Sequence, residues 1–200
     1  MNMQEVVEIA QQLITVPVDY EPSFVREVQH DAEPLVWLRF KKKDQQDRLC
    51  AEHFSLTFNP DEKKLKGFMH LEDKFETDII PSEEEAKKIA FDFLKKHAPD
   101  LVDTVEVRWI RPLRKEPISP PHDEGFLLSS GKVITGMRVK LFINTNNKYG
   151  WVISGKDGHV ITFERDITWS TIHKCRTTER WLHDHWLKKQ GVNLGLILPS

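Results

Sequence analysis

Apolar and polar positions follow two rhythms along this chain, and both rhythms occur twice in the same order. In residues 2–14 the apolar residues Val6, Ile9, Ala10, Leu13 and Ile14 recur at spacings of three and four, which puts them on one stripe of a helix. Asn2 with Glu5 three positions later has the form of a capping box, in which side chains satisfy the orphan N–H groups at a helix start. Residues 82–94, SEEEAKKIAFDFL, repeat the arrangement with Ser82, Glu85 and the stripe Ala86, Ile89, Ala90, Phe93 and Leu94. Both segments are predicted to be amphipathic helices. They end near Pro17 and Pro99, because proline cannot continue the hydrogen-bond ladder.

Runs with a period of two follow each helix. They cover residues 24–28, 35–41, 49–58 and 64–71 in the first half, and 105–110, 134–143, 149–154 and 159–163 in the second. Such alternation predicts strands that bury one face and solvate the other. Each half therefore reads as one helix against a four-stranded antiparallel meander. The last hairpins compare most closely, SLTFNPDEKKLKGF against WVISGKDGHVITF. With one residue gapped in the turn, Leu56 aligns with Val152, Asp61 with Asp157, Leu65 with Val160 and Phe68 with Phe163. Asp61, Asp157 and Gly158 are expected to reverse the chain, since Asp bonds to nearby backbone and Gly accepts positive φ. The earlier hairpin has Lys63 about where His159 stands and Pro60 in place of Lys156, so little polar chemistry is common to the two.

The expected class is α+β, with two tandem repeats over residues 1–78 and 79–169 and a C-terminal helix with an apolar tail over 170–200. An insertion at about 112–132, rich in proline and glycine, interrupts the second repeat as an irregular flap. The helix-plus-four-strands unit resembles PepSY-like modules, in particular the repeats of YcdB/YcdC-type bacterial proteins. The caps Asn2/Glu5 and Ser82/Glu85, the hairpins at Asp61 and Asp157, and the aromatic positions Phe68 and Phe163 carry the resemblance. It implies a non-catalytic module with a peptide-binding or peptidase-regulating role, and leaves a cell-envelope association open.

Composition narrows this further. Hydrophobic residues make up 39% of the 200, enough for a core. The 29 basic and 31 acidic residues nearly cancel, so no global field recruits nucleic acid or an anionic membrane. No run of about eighteen apolar residues could span a bilayer, and no signal core is visible, so the cytoplasm is the default expectation. Cys50 and Cys175 lie far apart outside any zinc spacing and read most simply as reduced thiols.

Compact catalytic signatures are missing: no GxSxG, HExxH or GxGxxG occurs. Two further stretches read as solvated surface: the flap's His122-Asp123-Glu124 and the lysine run 41–43, which belongs to a turn between strands. His173, Cys175, His183 and His185 form the best metal-like cluster. On a helix over 178–190, however, His183 and His185 would point roughly 200° apart and could not share an ion. The expectation is that this helix packs on the domain with its histidines at the boundary, and that no cofactor is needed. Six tryptophans are many for this length. Most should anchor the core, while Trp151, Trp169, Trp181 and Trp186 are candidates for a recognition surface.

The leading expectation is a non-enzymatic protein with a protein or peptide partner. Its apolar tail, including Val192, Leu194 and Leu196, either folds back or makes a homodimer. The rival is a small hydrolase or metal-dependent enzyme with a site between the repeats, near the flap and the C-terminal histidines.

Overall fold

Both capping boxes form. Asn2 accepts from the Glu5 N–H while the Glu5 carboxylate accepts from the Asn2 N–H, and Ser82 and Glu85 do the same. They start helices α1 (Met3–Leu13) and α2 (Glu83–His97). The computed structural model describes residues 2–113, 125–172 and 175–194.

Four strands follow α1: β1 (Tyr20–His30), β2 (Glu33–Lys42), β3 (His53–Asn59) and β4 (Lys64–Leu71). After α2 come β5 (Val105–Pro112), the two-residue pieces β6 (Phe126–Leu127) and β7 (Val133–Ile134), then β8 (Met137–Ile143), β9 (Lys148–Ser154) and β10 (Val160–Ile167). A small hairpin of β11 (Trp169–Ser170) and β12 (Cys175–Arg176) and a short α3 (Asp184–Lys189) complete the order. The fold is α+β. The two meanders join into one eight-stranded antiparallel sheet, β1-β2-β3-β4-β10-β9-β8-β5. β4 pairs with β10 at its centre, through Gly67↔Glu164, Phe68↔Phe163 and Met69↔Thr162. The edge strands carry bulges at matching places, between Pro22 and Phe24 in β1 and between Val107 and Trp109 in β5.

Both helices lie on one face of this sheet. Val6 and Ala10 of α1 and Ala90, Phe93 and Leu94 of α2 share a core with Leu38, Leu56, Val139 and Phe163. His97 Nδ1 lies 2.8 Å from the Leu13 carbonyl and ties the two helix ends together. The opposite face has its own core, where Phe24, Trp37 and Met69 meet Leu182 and Leu187 of the C-terminal segment. Strands β2, β3 and β4 are thus buried on both faces for most of their length. Gly67 marks the closest approach, since a Cβ there would stand 2.9 Å from Leu182 Cδ1. A glycine inside a strand commonly serves such an approach.

Two expectations are corrected. The C-terminal helix is six residues long rather than spanning 178–190. Before it, tertiary bonds hold the chain on a non-helical path across the sheet: the Trp181 indole donates to the Gln29 carbonyl at 2.6 Å, and Glu179 accepts from the Asp31 N–H at 2.8 Å. The lysine run is not a free turn either, because Lys41 and Lys42 end β2. Lys41 pairs with Glu21, and Lys42 with Glu52 at 3.1 Å and Glu72 at 2.9 Å. Residues 120–124 of the flap, and Leu196, Ile197 and Leu198 of the expected dimer-forming tail, lie outside the described residues. Among the described residues no helix is long and apolar enough to cross a membrane.

Candidate functional site

In β8, MRVKLFI, the alternation that sends Val139 and Leu141 into the helix-side core turns Arg138 and Lys140 to the other face. Their cross-strand neighbours extend this into a row, Trp109 of β5, Lys140 of β8, Trp151 of β9 and Glu164 of β10. Above it stand Trp169 from the small hairpin, Arg180 and Trp186 from the C-terminal segment, and Phe126 and Leu127 from the insertion. Together they enclose a cleft of about 470 Å³.

Aromatic rings surround the central cation. Lys140 Nζ lies 4.4 Å from the Trp169 ring centroid, 4.5 Å from that of Tyr149 and 5.4 Å from that of Trp109. The negative faces of such rings attract a cation and hold its position. Beneath, Glu164 is buried and accepts from Arg176 Nη1 at 2.7 Å and from the Trp151 indole at 3.0 Å, with His183 Nε2 at 2.8 Å. Burial would raise the Glu164 pKa, but the charges and hydrogen bonds of Arg176 and His183 outweigh it and hold the carboxyl well below the usual range. Arg180 is half-buried, and its side chain makes no hydrogen bond or ion pair among the described residues. Its pKa is lowered, first by burial and then by the neighbouring Arg176 charge.

The balance of charge is local. Among the described residues Arg138, Lys140, Arg176, Arg180 and Lys189 line the cleft with one carboxylate, Asp184, whereas the whole chain carries a net charge of −2. Asp184 is already engaged. Its oxygens accept from Arg39 Nη1 and Nη2 at 2.8 and 3.0 Å and from the Cys50 N–H at 2.6 Å.

Two arrangements have the outline of catalytic groups. His53 Nδ1 lies 2.8 Å from Ser55 Oγ, and His53 Nε2 lies 3.8 Å from Asp184. Ser55 and His53 are both 0% exposed, so no substrate reaches this hydroxyl, and burial lowers the His53 pKa to about 3. At the rim, Cys50 Sγ lies 4.0 Å from His185 Nε2. Burial and the Asp184 charge raise the Cys50 pKa, the opposite of what a thiolate nucleophile requires. Neither cysteine is in a disulfide.

Of the residues singled out from sequence, Trp151, Trp169 and Trp186 line the cleft, while Trp181 packs on Trp37 with centroids 6.1 Å apart. Asp157, at φ 57°, and Gly158, at φ 74°, sit in the β9–β10 turn away from the cleft. Asp61 lies in a turn capped by Asn59, whose Oδ1 accepts from the N–H groups of Asp61 and Glu62. Cys175 pairs with Ser170 in the hairpin, His183 meets Glu164, and His185 Nε2 lies 3.3 Å from the Leu127 carbonyl. His173 is outside the described residues. Among the described residues no three His, Cys, Asp or Glu side chains converge to hold a metal. Sequence reasoning missed Trp109, Lys140 and Arg180. The available signal was Trp109 and Lys140 recurring at outward positions of strands whose other face is apolar.

The family described as the YcdB, YcdC repeated domain matches residues 3–116. The chain belongs to the YcdB/YcdC repeated-domain family. The matched stretch of this YcdB/YcdC repeated-domain protein runs from α1 through β5, so it includes Trp109 and ends before Lys140, Trp151 and Trp169. No curated protein and no solved structure matches the chain.

Proposed function

We propose that this YcdB/YcdC repeated-domain protein is a non-catalytic binding module, and that an extended peptide segment of a partner protein lies in the cleft. The observation that carries this reading is the pairing of a caged cation, Lys140, with the half-buried rings of Trp109 and Trp169, which line the cleft on one sheet face. Tryptophan offers a large contact area with few rotatable bonds, and cation-rich aromatic pockets are typical centres of recognition. A peptide suits the geometry because Trp109 comes from β5, an edge strand of the sheet. An extended segment alongside such an edge can add backbone hydrogen bonds to its side-chain contacts. Catalysis is the weaker reading here, since the Ser55 hydroxyl is sealed and the Cys50 thiol is held protonated.

Selection from a displayed library of random peptides tests this, with a Trp109→Ala variant as the counter-screen. The wild type should enrich sequences that the folded variant fails to retain. If nothing is enriched, or both proteins retain the same sequences equally, the reading is wrong.

A further inference from the structure

The two halves of the sheet share a register that gives each residue of the outer face a counterpart. Phe68 and Phe163 face each other at the centre, and each lies opposite an equivalent residue on its other side, Leu56 for Phe68 and Val152 for Phe163. One strand further out, Leu38 pairs with Leu56 and Val139 with Val152. The row on the face away from the helices is then Phe24, Arg39, Ser55 and Met69 in the first half, and Trp109, Lys140, Trp151 and Glu164 in the second. Trp109, Lys140 and Trp151 line the cleft. Arg39 and its neighbour Trp37 are instead 0% exposed, because the chain's own residues 179–187 lie over them.

This covering segment is held by side chains. Asp184 takes both prongs of Arg39 at 2.8 and 3.0 Å, while Asp47 meets Arg39 Nε at 3.1 Å. Trp181 packs on Trp37 and donates to the Gln29 carbonyl, Leu182 approaches Gly67, and Leu187 is buried in the same core. Among the described residues no backbone hydrogen bond joins residues 178–194 to a strand; such bonds stay within the segment. A segment without a ladder to its neighbours opens at lower cost than the sheet beneath it. The fit is also incomplete: the Trp37 indole N–H and His53 Nε2 are buried there with no hydrogen-bond partner among the described residues, although protein interiors pair nearly all such groups.

We propose that this face is a second binding surface, occupied in cis by residues 179–187, and that a partner protein takes it with a segment of the same pattern, Trp-Leu-x-Asp-x-x-Leu. The partner's acid then replaces Asp184 on Arg39, and its leucines replace Leu182 and Leu187. A polar group that reaches Trp37 or His53 gives the partner an advantage over the cis segment. Exchange between two copies of this chain would trade identical contacts and lose translational freedom, so a foreign segment is the favoured occupant. Tethering holds the cis segment at a high effective concentration, and a free competitor binds with its affinity reduced by the fraction of molecules whose face is open. Displacement also carries Trp186 and His185 away from the cleft, so occupation of this face takes down one of the cleft's walls.

The test uses a fluorescein-labelled, amidated peptide of residues 178–190 as competitor, read by anisotropy on the wild type, Asp184→Asn and His185→Cys. The thiol introduced by His185→Cys faces Cys50, whose Sγ lies 4.0 Å from His185 Nε2, so oxidation locks the cis segment in place, and mass spectrometry verifies the bond. Asp184→Asn loosens that segment and should bind the peptide at least about ten-fold more tightly than the wild type. A peptide with its own aspartate changed to asparagine should lose the binding. Oxidised His185→Cys should not bind until reductant is added. If Asp184→Asn does not fold, oxidised against reduced His185→Cys decides alone, and equal binding to both puts the peptide elsewhere and overturns the proposal. Absence of binding to every variant shows that the segment does not exchange and overturns it as well. Wild-type dimers in light scattering that the free peptide dissociates would assign the face to a second copy of the chain and overturn the foreign partner.

Discussion

The guanidinium of Arg39 and the carboxylate of Asp184, 145 positions apart in sequence, meet face to face inside the protein at 2.8 and 3.0 Å. This pair fixes the C-terminal segment to β2. Removing one member leaves the other charged and buried, so Asp184→Ala should lower the unfolding free energy by about 3–5 kcal/mol. Urea denaturation measures that loss, and limited proteolysis should show new cleavage in residues 177–190. The double variant Arg39→Met with Asp184→Leu should recover part of the stability, because only Asp47, which Arg39 Nε contacts at 3.1 Å, then loses its cation.

Gly67→Ala probes the same attachment from the sheet side. Its new methyl would press on Leu182 Cδ1 at 2.9 Å, the Phe163 carbonyl at 3.1 Å and Thr57 Oγ1 at 3.2 Å. A cost of about 1–3 kcal/mol is expected for such overpacking. In a background of Leu182→Ala the added penalty should shrink, and a double-mutant cycle in urea reads the coupling.

The hairpin histidine gives the pH dependence a sign. Burial, with the nearby His70 charge, lowers the His159 pKa to about 4, and the ring stacks on Phe75 with centroids 3.9 Å apart. The unfolded chain therefore takes up a proton first as pH falls from about 6.5, and stability drops through the window down to about pH 4. His53, lowered to about 3, adds to the loss in the same direction. Thermal melts should fall steadily across this range, and His159→Phe should flatten part of the slope while leaving stability above pH 7 little changed. Glu164 acts lower on the scale. Its folded pKa is depressed, so its contribution is complete above the unfolded value of about 4.3 and is lost on further acidification.

Asp157 tests what the β9–β10 turn requires. Its φ of 57° is in the left-handed region, and its carboxylate makes no hydrogen bond among the described residues. Asp157→Ala should cost roughly 1 kcal/mol through the backbone, whereas Asp157→Gly should be neutral or slightly stabilising. Equal losses for both, read from urea midpoints, would place the requirement in the side chain instead.

The features legible in the sequence were the local ones. The caps Asn2/Glu5 and Ser82/Glu85 act within one turn, and the alternation in β3 and β8 needs only neighbouring strands, so both showed as pattern. Joining of the sheets did not, because β4 and β10 carry charged residues such as Lys66, Glu164 and Asp166 that are buried only once the two strands meet, and nothing local says which edge each will pair with. Arg39 lies in the alternating run 35–41 with no local sign of burial, yet it is enclosed because Asp184 arrives from the other end of the chain. The periodic WLHDHWLKK suggested a longer helix. Contacts of Trp181 with Gln29 and of Glu179 with Asp31 compete with helical bonds and win. The cleft was half visible: Trp151 and Trp169 were marked as aromatics, but Lys140 becomes distinctive only once Tyr149, Trp109 and Trp169 close around it.

The central pairing of β4 with β10 has a further consequence. Phe68 and Phe163 are both opposite one another and equivalent to one another, and the flanking pairs Gly67↔Glu164 and Met69↔Thr162 exchange under the same half-turn. This is the geometry of an isologous interface, the kind that joins identical subunits about a dyad, contained within a single polypeptide. Severed in the stretch before α2, each half would bare a self-complementary edge suited to its own copy, so the covalent link between the halves keeps that edge from pairing between molecules.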